Sequence, residues 1–206
     1  MKRGILLGTL LTVFSALSIS GAGAEVYQPD FKQLDSDWKG GHMEAVKVKD
    51  GVLSITPPSG EKEPQMRGTW NQSLEVKDAK LKVKIKLPKS SLPTKTNSGV
   101  VIAFKDWENN IEVDFGLSGC FSIYQATAGA SKELVPWTQT TALHANSDDW
   151  NDVEITTKGS RLTVSVNGAV LKSMPVDGLG SGMFGFTCQC PNGAPGQFKD
   201  LQVTYE

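Results

Sequence analysis

The sequence predicts an all-β domain, a sandwich of two antiparallel sheets, and three observations carry this prediction. The stretch LKVKIKL at residues 81–87 alternates apolar and lysine residues with a period of two, which is the pattern of a half-buried strand. Further short apolar segments follow at brief intervals, divided by turn dipeptides such as Asn167-Gly168. No segment after residue 24 shows sustained helical periodicity. Short strands with regular turns between them are typical of a β-sandwich.

The other predicted strands share this alternation or are rich in β-branched and aromatic residues. In chain order they cover residues 52–56, 67–70, 98–105, 111–116, 120–126, 134–138, 150–157, 161–167, 170–174, 182–188 and 197–205. In the 81–87 strand the leucine, valine and isoleucine side chains are expected to face the core. The lysines are then expected to face solvent, where they also protect a sheet edge or face from pairing with other chains.

The first 24 residues have the layout of a secretory signal peptide. A basic pair precedes an apolar run over residues 4–19, and AGA at residues 22–24 forms a small-residue cleavage site. An uncleaved anchor helix is the weaker alternative, because a membrane span needs about 20 apolar residues. We therefore expect cleavage after residue 24, and a single domain of residues 25–206 exported to the periplasm or the extracellular space.

The charge balance argues against two classes of partner. Loss of the basic pair with the leader would leave 19 basic and 22 acidic residues, a formal charge of −3. This balance predicts neither a nucleic-acid partner nor an anionic membrane surface. No later stretch is apolar enough to span a bilayer, so we expect no membrane span after signal cleavage, and a monomer.

Three cysteines remain in the exported chain, Cys120, Cys188 and Cys190. A disulfide is the expected state of cysteines in an exported protein, and an odd count leaves one thiol over. A ring closed between Cys188 and Cys190 would be strained, so we expect Cys120 to pair with Cys188 or Cys190. A soft-metal site with His42 or His144 is the alternative, but neither histidine stands at a ligand spacing from the Cys-x-Cys pair.

Several stretches together resemble the concanavalin A-like lectin/glucanase superfamily, and most closely its 3-keto-disaccharide hydrolase-type branch. They are DGVLSI (50–55), NSGVVIAF (97–104), NIEVDF (110–115), WNDVEITTKGSRLTVSVNG (150–168) and the closing GMFGF and FKDLQV (182–186 and 198–203). The resemblance covers nearly all of residues 25–206. It implies a jelly-roll β-sandwich of two antiparallel sheets, one of them concave and used for carbohydrate. Trp150, which heads an alternating strand, is expected in the core.

The strand NIEVDFG at residues 110–116 carries two carboxylates. Glu112 and Asp114 share one face, because alternate side chains of a strand point the same way. A four-residue loop at 106–109 would pair Glu112 with Ala103 and Asp114 with Val101. This registry places Phe104, together with the isoleucines and valine of both strands, on the buried face.

A three-residue loop at 117–119 extends the same face to the next strand. It would pair Asp114 with Ser122 and Glu112 with Tyr124. Carboxylates beside a hydroxyl and an aromatic ring suit a sugar, which offers hydroxyl donors and apolar ring faces. The substrate-binding candidates are therefore Glu112, Asp114, Ser122 and Tyr124, together with two tryptophans expected near the sheet, Trp107 and Trp137.

The same strand resembles the Glu-x-Asp-x-Glu strand of laminarinase-type glycoside hydrolases, but it is incomplete. Retaining enzymes of that type need two carboxyl groups about 5–5.5 Å apart. With Glu112 as the first glutamate, the second falls on Gly116, which cannot transfer a proton. With Glu112 as the second, the first is Glu108, which lies in the predicted hairpin loop. We therefore expect no laminarinase-type activity.

The branch resemblance implies another chemistry, in which the substrate is an oxidised glycoside. A 3-keto group acidifies the neighbouring C–H, and a single base can remove that proton to start an elimination. Glu112 and Asp114 are the catalytic candidates for this base, with assistance from His144 or Tyr124.

Asp148, Asp149 and Asp152 form an acidic cluster that would suit calcium. The cluster adjoins a turn, so a solvated surface is the favoured interpretation and we expect no cofactor and no metal. The sequence as a whole predicts an exported domain that binds a carbohydrate on its concave sheet. The alternatives are a hydrolase or lyase of 3-keto glycosides, and an adhesion or interaction module that binds no sugar.

Overall fold

Two antiparallel sheets contain most of the chain that the computed structural model describes, which is residues 23–59, 65–145 and 148–206. The predicted signal peptide lies outside the described residues except for its last two positions. The strands, numbered along the chain, are β1 (Glu25–Tyr27), β2 (Trp38–Lys39), β3 (Val46–Lys49), β4 (Val52–Ile55), β5 (Met66–Val76), β6 (Ala79–Lys86), β7 (Asn97–Asp106), β8 (Asn109–Gly116), β9 (Cys120–Thr127), β10 (Ala130–Gln139), β11 (Asn151–Lys158), β12 (Arg161–Val166), β13 (Ala169–Pro175), β14 (Gly182–Gln189) and β15 (Gly196–Tyr205). Two 3-10 turns, Met43–Ala45 and Pro93–Lys95, lie in the connections.

The eight-stranded sheet has the order β13-β12-β11-β6-β15-β4-β3, with β1 also paired to β15. The seven-stranded sheet has the order β10-β9-β8-β7-β14-β5-β2. Both are antiparallel, and strands distant in the sequence are neighbours in each sheet. The predicted sandwich of two antiparallel sheets is therefore confirmed.

The core lies between the two sheets and is formed by alternate residues of each strand. Phe186 of β14 and Phe198 of β15 stack across it with ring centroids 4.4 Å apart and planes 19° apart. Both rings are fully buried, and burial of one such side chain stabilises the fold by about 1.5–3 kcal/mol. The contact joins one sheet to the other at the centre of the sandwich.

The lysine-rich strand β6 has the predicted orientation. Leu81, Val83 and Ile85 are buried in the core, and the lysines project from the opposite face of the sheet. They form exposed ion pairs there, in which Lys80 and Lys82 approach Glu154 at 3.3 and 3.5 Å. Exposed pairs of this kind contribute little stability, about 0–1 kcal/mol, so this row is a solvated face.

Trp150 does not lie in the core, which corrects the prediction. It is partly exposed beside β11, where Lys86 and Lys199 place their ammonium groups 5.2 and 4.4 Å from its ring centroid. The strand that follows begins only at Asn151, so the alternation that buries Val153 and Ile155 does not extend back to the tryptophan. A ring at the surface is instead covered by the aliphatic stems and cations of two lysines.

The predicted disulfide is wrong, because all three cysteines are free and buried. Cys120 lies on β9 opposite Gly116, on the outer face of the seven-stranded sheet. Cys188 lies on β14 in the core. Two strands separate β9 from β14, so the cysteines are about 14 Å apart, beyond the reach of a disulfide. Burial raises the pKa of the Cys188 thiol to about 12.

Candidate functional site

Strand β8 positions the two carboxylates as predicted. Ile111, Val113 and Phe115 are buried in the core, so Glu112 and Asp114 share the opposite face of the seven-stranded sheet. This surface, which we call the outer face, is the side of that sheet turned away from the eight-stranded sheet. On β9 the predicted registry is confirmed, with Asp114 opposite Ser122 and Glu112 opposite Tyr124.

The registry with β7 differs from the prediction by two residues. Asp106 pairs with Asn109 across a two-residue loop, in line with the predicted registry, and a bulge at Ala103, between Ile102 and Asp106, then shifts the pairing by two residues. Ala103 has a φ of 48°, a left-handed value that the sequence does not signal at an alanine. Glu112 therefore lies opposite Val101 rather than Ala103. A registry shift of two residues leaves each of these side chains on the same face of the sheet.

The same bulge moves Phe104 out of the predicted core. Beyond Ala103 the alternation of β7 is reversed, and Phe104 packs against Trp70 at a centroid distance of 4.9 Å. Trp107 meets both rings edge-on, at 5.9 Å from Trp70 and 5.1 Å from Phe104. These three rings form an aromatic cluster on the outer face, in which Trp70 and Phe104 support the ring of Trp107.

Three polar side chains converge above Gly99 of β7. Thr187 of β14 donates a hydrogen bond from Oγ1 to Glu112 Oε1 at 2.7 Å. A β-carbon built on Gly99 would lie 2.6 Å from Asp114 Oδ1 and 3.2 Å from Glu112 Oε1, and it would also collide with the Thr187 hydroxyl. Glycine is therefore required at residue 99 for the two carboxyl groups and the hydroxyl to meet.

Burial sets the protonation of this carboxyl pair. Asp114 is 6% exposed, and its pKa is raised well above the ordinary value, first by burial and then by the negative charge of Glu112. Burial also raises the pKa of Glu112, but the hydrogen bond from Thr187 opposes that shift. The arrangement favours one proton on the pair, held first by Asp114, whose pKa is raised further.

Two exposed indoles flank the pair, and each rests on a glycine. Trp107 is 42% exposed and Trp137 is 43% exposed. A β-carbon on Gly68 would lie 2.7 Å from Cη2 of Trp107, and one on Gly116 would lie 3.1 Å from Cζ3 of Trp137. Because Gly68 is on β5 and Gly116 is on β8, three strand spacings, or about 14 Å, separate the two supports.

A cavity of about 260 Å³ adjoins Trp137, and Asn97, Gly116 and Cys120 contribute to its wall. Tyr124 borders the carboxyl pair from β9 and donates its hydroxyl hydrogen to Glu133 Oε1 at 3.0 Å. The outer face thus holds all six predicted binding residues: Glu112, Asp114, Ser122, Tyr124, Trp107 and Trp137.

The structure does not bring His144 to this surface. Its backbone is bonded to the side chain of Asn151 at the start of β11, in the other sheet. The predicted acidic cluster is also dispersed, since Asp148 approaches Lys89 at 2.7 Å and Asp152 faces Lys84. Within residues 23–59, 65–145 and 148–206, no three histidine, cysteine or acidic side chains are placed to hold a metal ion.

Sequence reasoning missed two residues of the site, Thr187 and Asn97. Thr187 is a fully buried polar residue in the apolar strand β14, and its polarity was the one available signal. Its partner Glu112 is 75 positions away in the sequence, and no local pattern reports that pairing. Asn97 lies just before the predicted strand 98–105, whereas in the structure it begins β7 and is 8% exposed.

Solved structures of carbohydrate-active proteins share this architecture, which defines the class as a concanavalin A-like jelly roll. The β-glucanase of Bacillus licheniformis superposes with a TM-score of 0.66 at 9% identity, over 90% of this chain and 99% of that one. The carbohydrate-binding module CBM66 from Bacillus subtilis gives 0.63 at 10% identity, over 81% and 94%. A glycoside hydrolase family 16 endo-glucanase from Bacteroides ovatus gives 0.65 at 14%, over 86% and 99%.

The family follows from the sequence itself. Residues 28–204 match the model of the 3-keto-alpha-glucoside-1,2-lyase-like domain, and the chain belongs to that family. A comparison with curated proteins found no match. In the described part of the chain, no helix is long and apolar enough to cross a membrane.

Proposed function

We propose that the outer face of the seven-stranded sheet binds a carbohydrate between Trp107 and Trp137, above Glu112 and Asp114. The observation that carries this proposal is the position of the carboxyl pair between two exposed indoles, each resting on a glycine. Sugar rings present apolar C–H faces that stack on aromatic rings, and hydroxyl groups that donate to carboxyl oxygens. The spacing of about 14 Å suits an oligosaccharide lying across the strands.

The structural neighbours support this proposal at the level of the fold. One is a carbohydrate-binding module and two are glucanases. We propose the outer face as the concave sheet that the superfamily resemblance implies. The partly exposed Glu112 and Tyr124 give that face polar groups for hydroxyl recognition.

A glycan array probed with residues 25–206 tests the proposal. Trp107→Ala and Trp137→Ala are each expected to lower the affinity for a glycan bound by the wild type about tenfold, which corresponds to about 1.4 kcal/mol. Val170→Ala is the matched control, because Val170 is 64% exposed on β13 of the other sheet. Absence of binding to every glycan, or affinity of both tryptophan variants equal to that of the wild type, would contradict the proposal.

A second candidate function is cleavage of 3-keto-α-glucosides, and the carboxyl pair with its single proton favours it. In this reaction the ionised Glu112 takes the proton from C2, which the 3-keto group acidifies. The C2–H electrons form a C1=C2 double bond, and the C1–O bond breaks. Asp114 then gives its proton to the departing oxygen. The family membership supports this chemistry, and the pair supplies one base and one acid.

An assay on 3-keto glucosides separates the two functions. Wild type is expected to release the aglycone, and Glu112→Gln and Asp114→Asn are expected to lower kcat by at least a hundredfold, the scale of general acid–base catalysis. Glu154→Gln is the control, since that carboxylate pairs with Lys80 and Lys82 on the other sheet. No turnover by wild type would remove the lyase function and leave the binding function.

We also propose that residues 1–24 direct export and are removed. The leader layout supports this, and the first strand begins at Glu25, where it pairs with Tyr205 of the last strand. Expression of the full chain in a bacterial host, followed by mass spectrometry, tests it. A periplasmic product that begins at Glu25 is expected, and a cytoplasmic product that retains residue 1 would contradict it.

A further inference from the structure

Three buried oxygen atoms on the outer face have no hydrogen-bond partner among the described residues: Asn97 Oδ1, Asp114 Oδ1 and Ser122 Oγ. We call these three residues the acceptor cluster. An unpaired buried polar atom destabilises the fold and is rare in folded proteins. The other two such atoms in the described chain are Trp38 Nε1 and Ser98 Oγ, which belong to buried residues away from this face.

The acceptor cluster is contiguous, because its members lie on three neighbouring strands. Asp114 of β8 is directly opposite Ser122 of β9. On its other side Asp114 is opposite Gly99, which stands two residues after Asn97 on β7. Asn97 is itself opposite Gly116, the glycine under Trp137. The unpaired oxygens therefore surround the support of the exposed indole.

The orientation of Asn97 is fixed by its own hydrogen bond. Its Nδ2 donates to Gln189 Oε1 at 3.1 Å, so the amide oxygen is the atom left without a partner. All three orphan atoms can accept a hydrogen bond, and the side chain of Asn97 is held by a neighbouring strand. The hydroxyl of Ser122 and a protonated Asp114 can also donate one, whereas Asn97 Oδ1 can only accept, so a ligand that binds here must bring a hydrogen-bond donor for Asn97.

The cavity of about 260 Å³ beside Trp137 can accommodate such a ligand. Asn97, Gly116 and Cys120 line it. Its volume is near the lower end of the range for small-molecule pockets, about 300–1,000 Å³, so it suits one ring and not a long segment of glycan. The indole forms an apolar wall and Asn97 a polar one. Asp114 and Ser122 do not line the cavity, but they lie two residues from Gly116 and Cys120 on the same face of the sheet.

We infer that this cavity is a subsite for one uncharged sugar ring, which stacks on Trp137 and donates its hydroxyl hydrogens to the acceptor cluster. The inference rests on the proposed function, since it assigns part of the same glycan to one end of the outer face. A neutral sugar supplies the donors that the three oxygens need. A uronate or sulfated sugar would place an acceptor and a negative charge beside the Glu112–Asp114 pair, and the subsite excludes it.

Ser122→Ala tests the acceptor cluster, with Ser98→Ala as the matched control. Both substitutions delete a buried hydroxyl that has no partner among the described residues, but Ser98 is opposite Phe115 and faces the core. Isothermal titration with maltotriose, cellotriose and laminaritriose is the measurement. We expect Ser122→Ala to weaken binding three- to tenfold while its melting temperature stays equal or rises, and Ser98→Ala to bind as wild type does.

The charge selectivity is tested with the same three oligosaccharides oxidised to uronic acids at C6. The neutral forms are expected to bind at least tenfold more tightly than the acids. Equal or tighter binding of the acids would overturn the inference, as would unchanged affinity of Ser122→Ala. If the wild type binds neither neutral nor acidic sugars on an array, the proposed function fails and this inference fails with it. Binding that depends on Trp107 and Trp137 but not on Ser122 overturns the subsite alone.

Discussion

Trp137 rests on Gly116, so closely that a β-carbon on Gly116 would lie 3.1 Å from Cζ3 of the indole. Residue 116 is the position at which the laminarinase pattern has its second glutamate. An aromatic ring covers that position here, and the carboxyl chemistry of the face is confined to Glu112 and Asp114. The sheet is therefore arranged as an aromatic platform beside a carboxyl pair, and not as a pair of glutamates at i and i+4.

Gly116→Ala is expected to weaken glycan binding several-fold with little loss of stability. The added methyl group would displace the Trp137 ring by a few tenths of an ångström, and stacking depends on that position. Titration calorimetry and thermal unfolding measure the two effects. Gly41→Ala is the control, because a β-carbon there meets no atom within 4 Å. Equal affinity of Gly116→Ala and wild type would show that Trp137 does not contact the ligand.

The stability of the protein is expected to fall as the pH rises above the ordinary carboxyl pKa of 3.8. Asp114 has a raised pKa in the fold, so the folded chain holds a proton that the unfolded chain releases. Its contribution is complete below pH 3.8 and is lost as the pH rises through the folded pKa, by about 1.4 kcal/mol for each unit of difference. Denaturant unfolding at several pH values measures this slope.

Asp114→Asn is expected to reduce that slope and to be more stable than wild type at pH 7. Asp30→Asn is a control in which the effect of pH on stability has the opposite sign. Hydrogen bonds from Lys32 lower the pKa of Asp30, so Asp30 stabilises the fold above the ordinary carboxyl pKa and loses that effect as the pH falls. The opposite result would be a free energy of unfolding of the wild type that rises between pH 4 and pH 7, and a smaller rise in Asp114→Asn. That result would contradict the protonated state of Asp114.

Thr187→Val is expected to shift the pH dependence of ligand binding or turnover to higher pH. The hydroxyl of Thr187 donates to Glu112 Oε1 at 2.7 Å and opposes the rise in the pKa of Glu112. Valine has nearly the same shape without the donor, so Glu112 would keep its proton to a higher pH. Thr163→Val is the control, since Thr163 bonds Ser173 on the other sheet. An unchanged pH profile would remove Thr187 from the site.

The three thiols are expected to be unreactive in the native protein and fully reactive after denaturation. Cys120, Cys188 and Cys190 are free and buried, and burial raises the pKa of Cys188 to about 12, so little thiolate forms at neutral pH. Maleimide labelling followed by mass spectrometry should add no label to the native chain and three labels in denaturant. A mass two daltons below that of the fully reduced chain would instead indicate a disulfide.

The part of the site that follows from local pattern was predictable. The registry of β8 with β9 came out correctly because the three-residue loop and the alternation of both strands fix it together. The registry with β7 did not, because it depends on a left-handed alanine, Ala103, and alanine carries no signal for that conformation. Long-range pairings, such as that of Thr187 with Glu112, depend on the strand order of the sheet.

The cysteines also show that local sequence does not specify which strands are neighbours. Composition and predicted export favoured a disulfide, but a disulfide needs two Cα atoms within about 7 Å and side chains directed at each other. Cys120 and Cys188 satisfy neither condition, since β8 and β7 lie between their strands and they occupy opposite faces of the sheet. Strand order decides such contacts, and the sequence does not specify strand order locally.

The most direct test of the account is an NMR titration of the five indole N–H signals with an oligosaccharide that the wild type binds. Each signal is assigned by replacing one tryptophan with phenylalanine. Trp107 and Trp137 flank the carboxyl pair on the outer face, whereas Trp150 lies beside β11 in the other sheet and Trp38 is buried. The signals of Trp107 and Trp137 are expected to shift while those of Trp38 and Trp150 stay. Shifts confined to Trp150, with Trp107 and Trp137 unchanged, would contradict it.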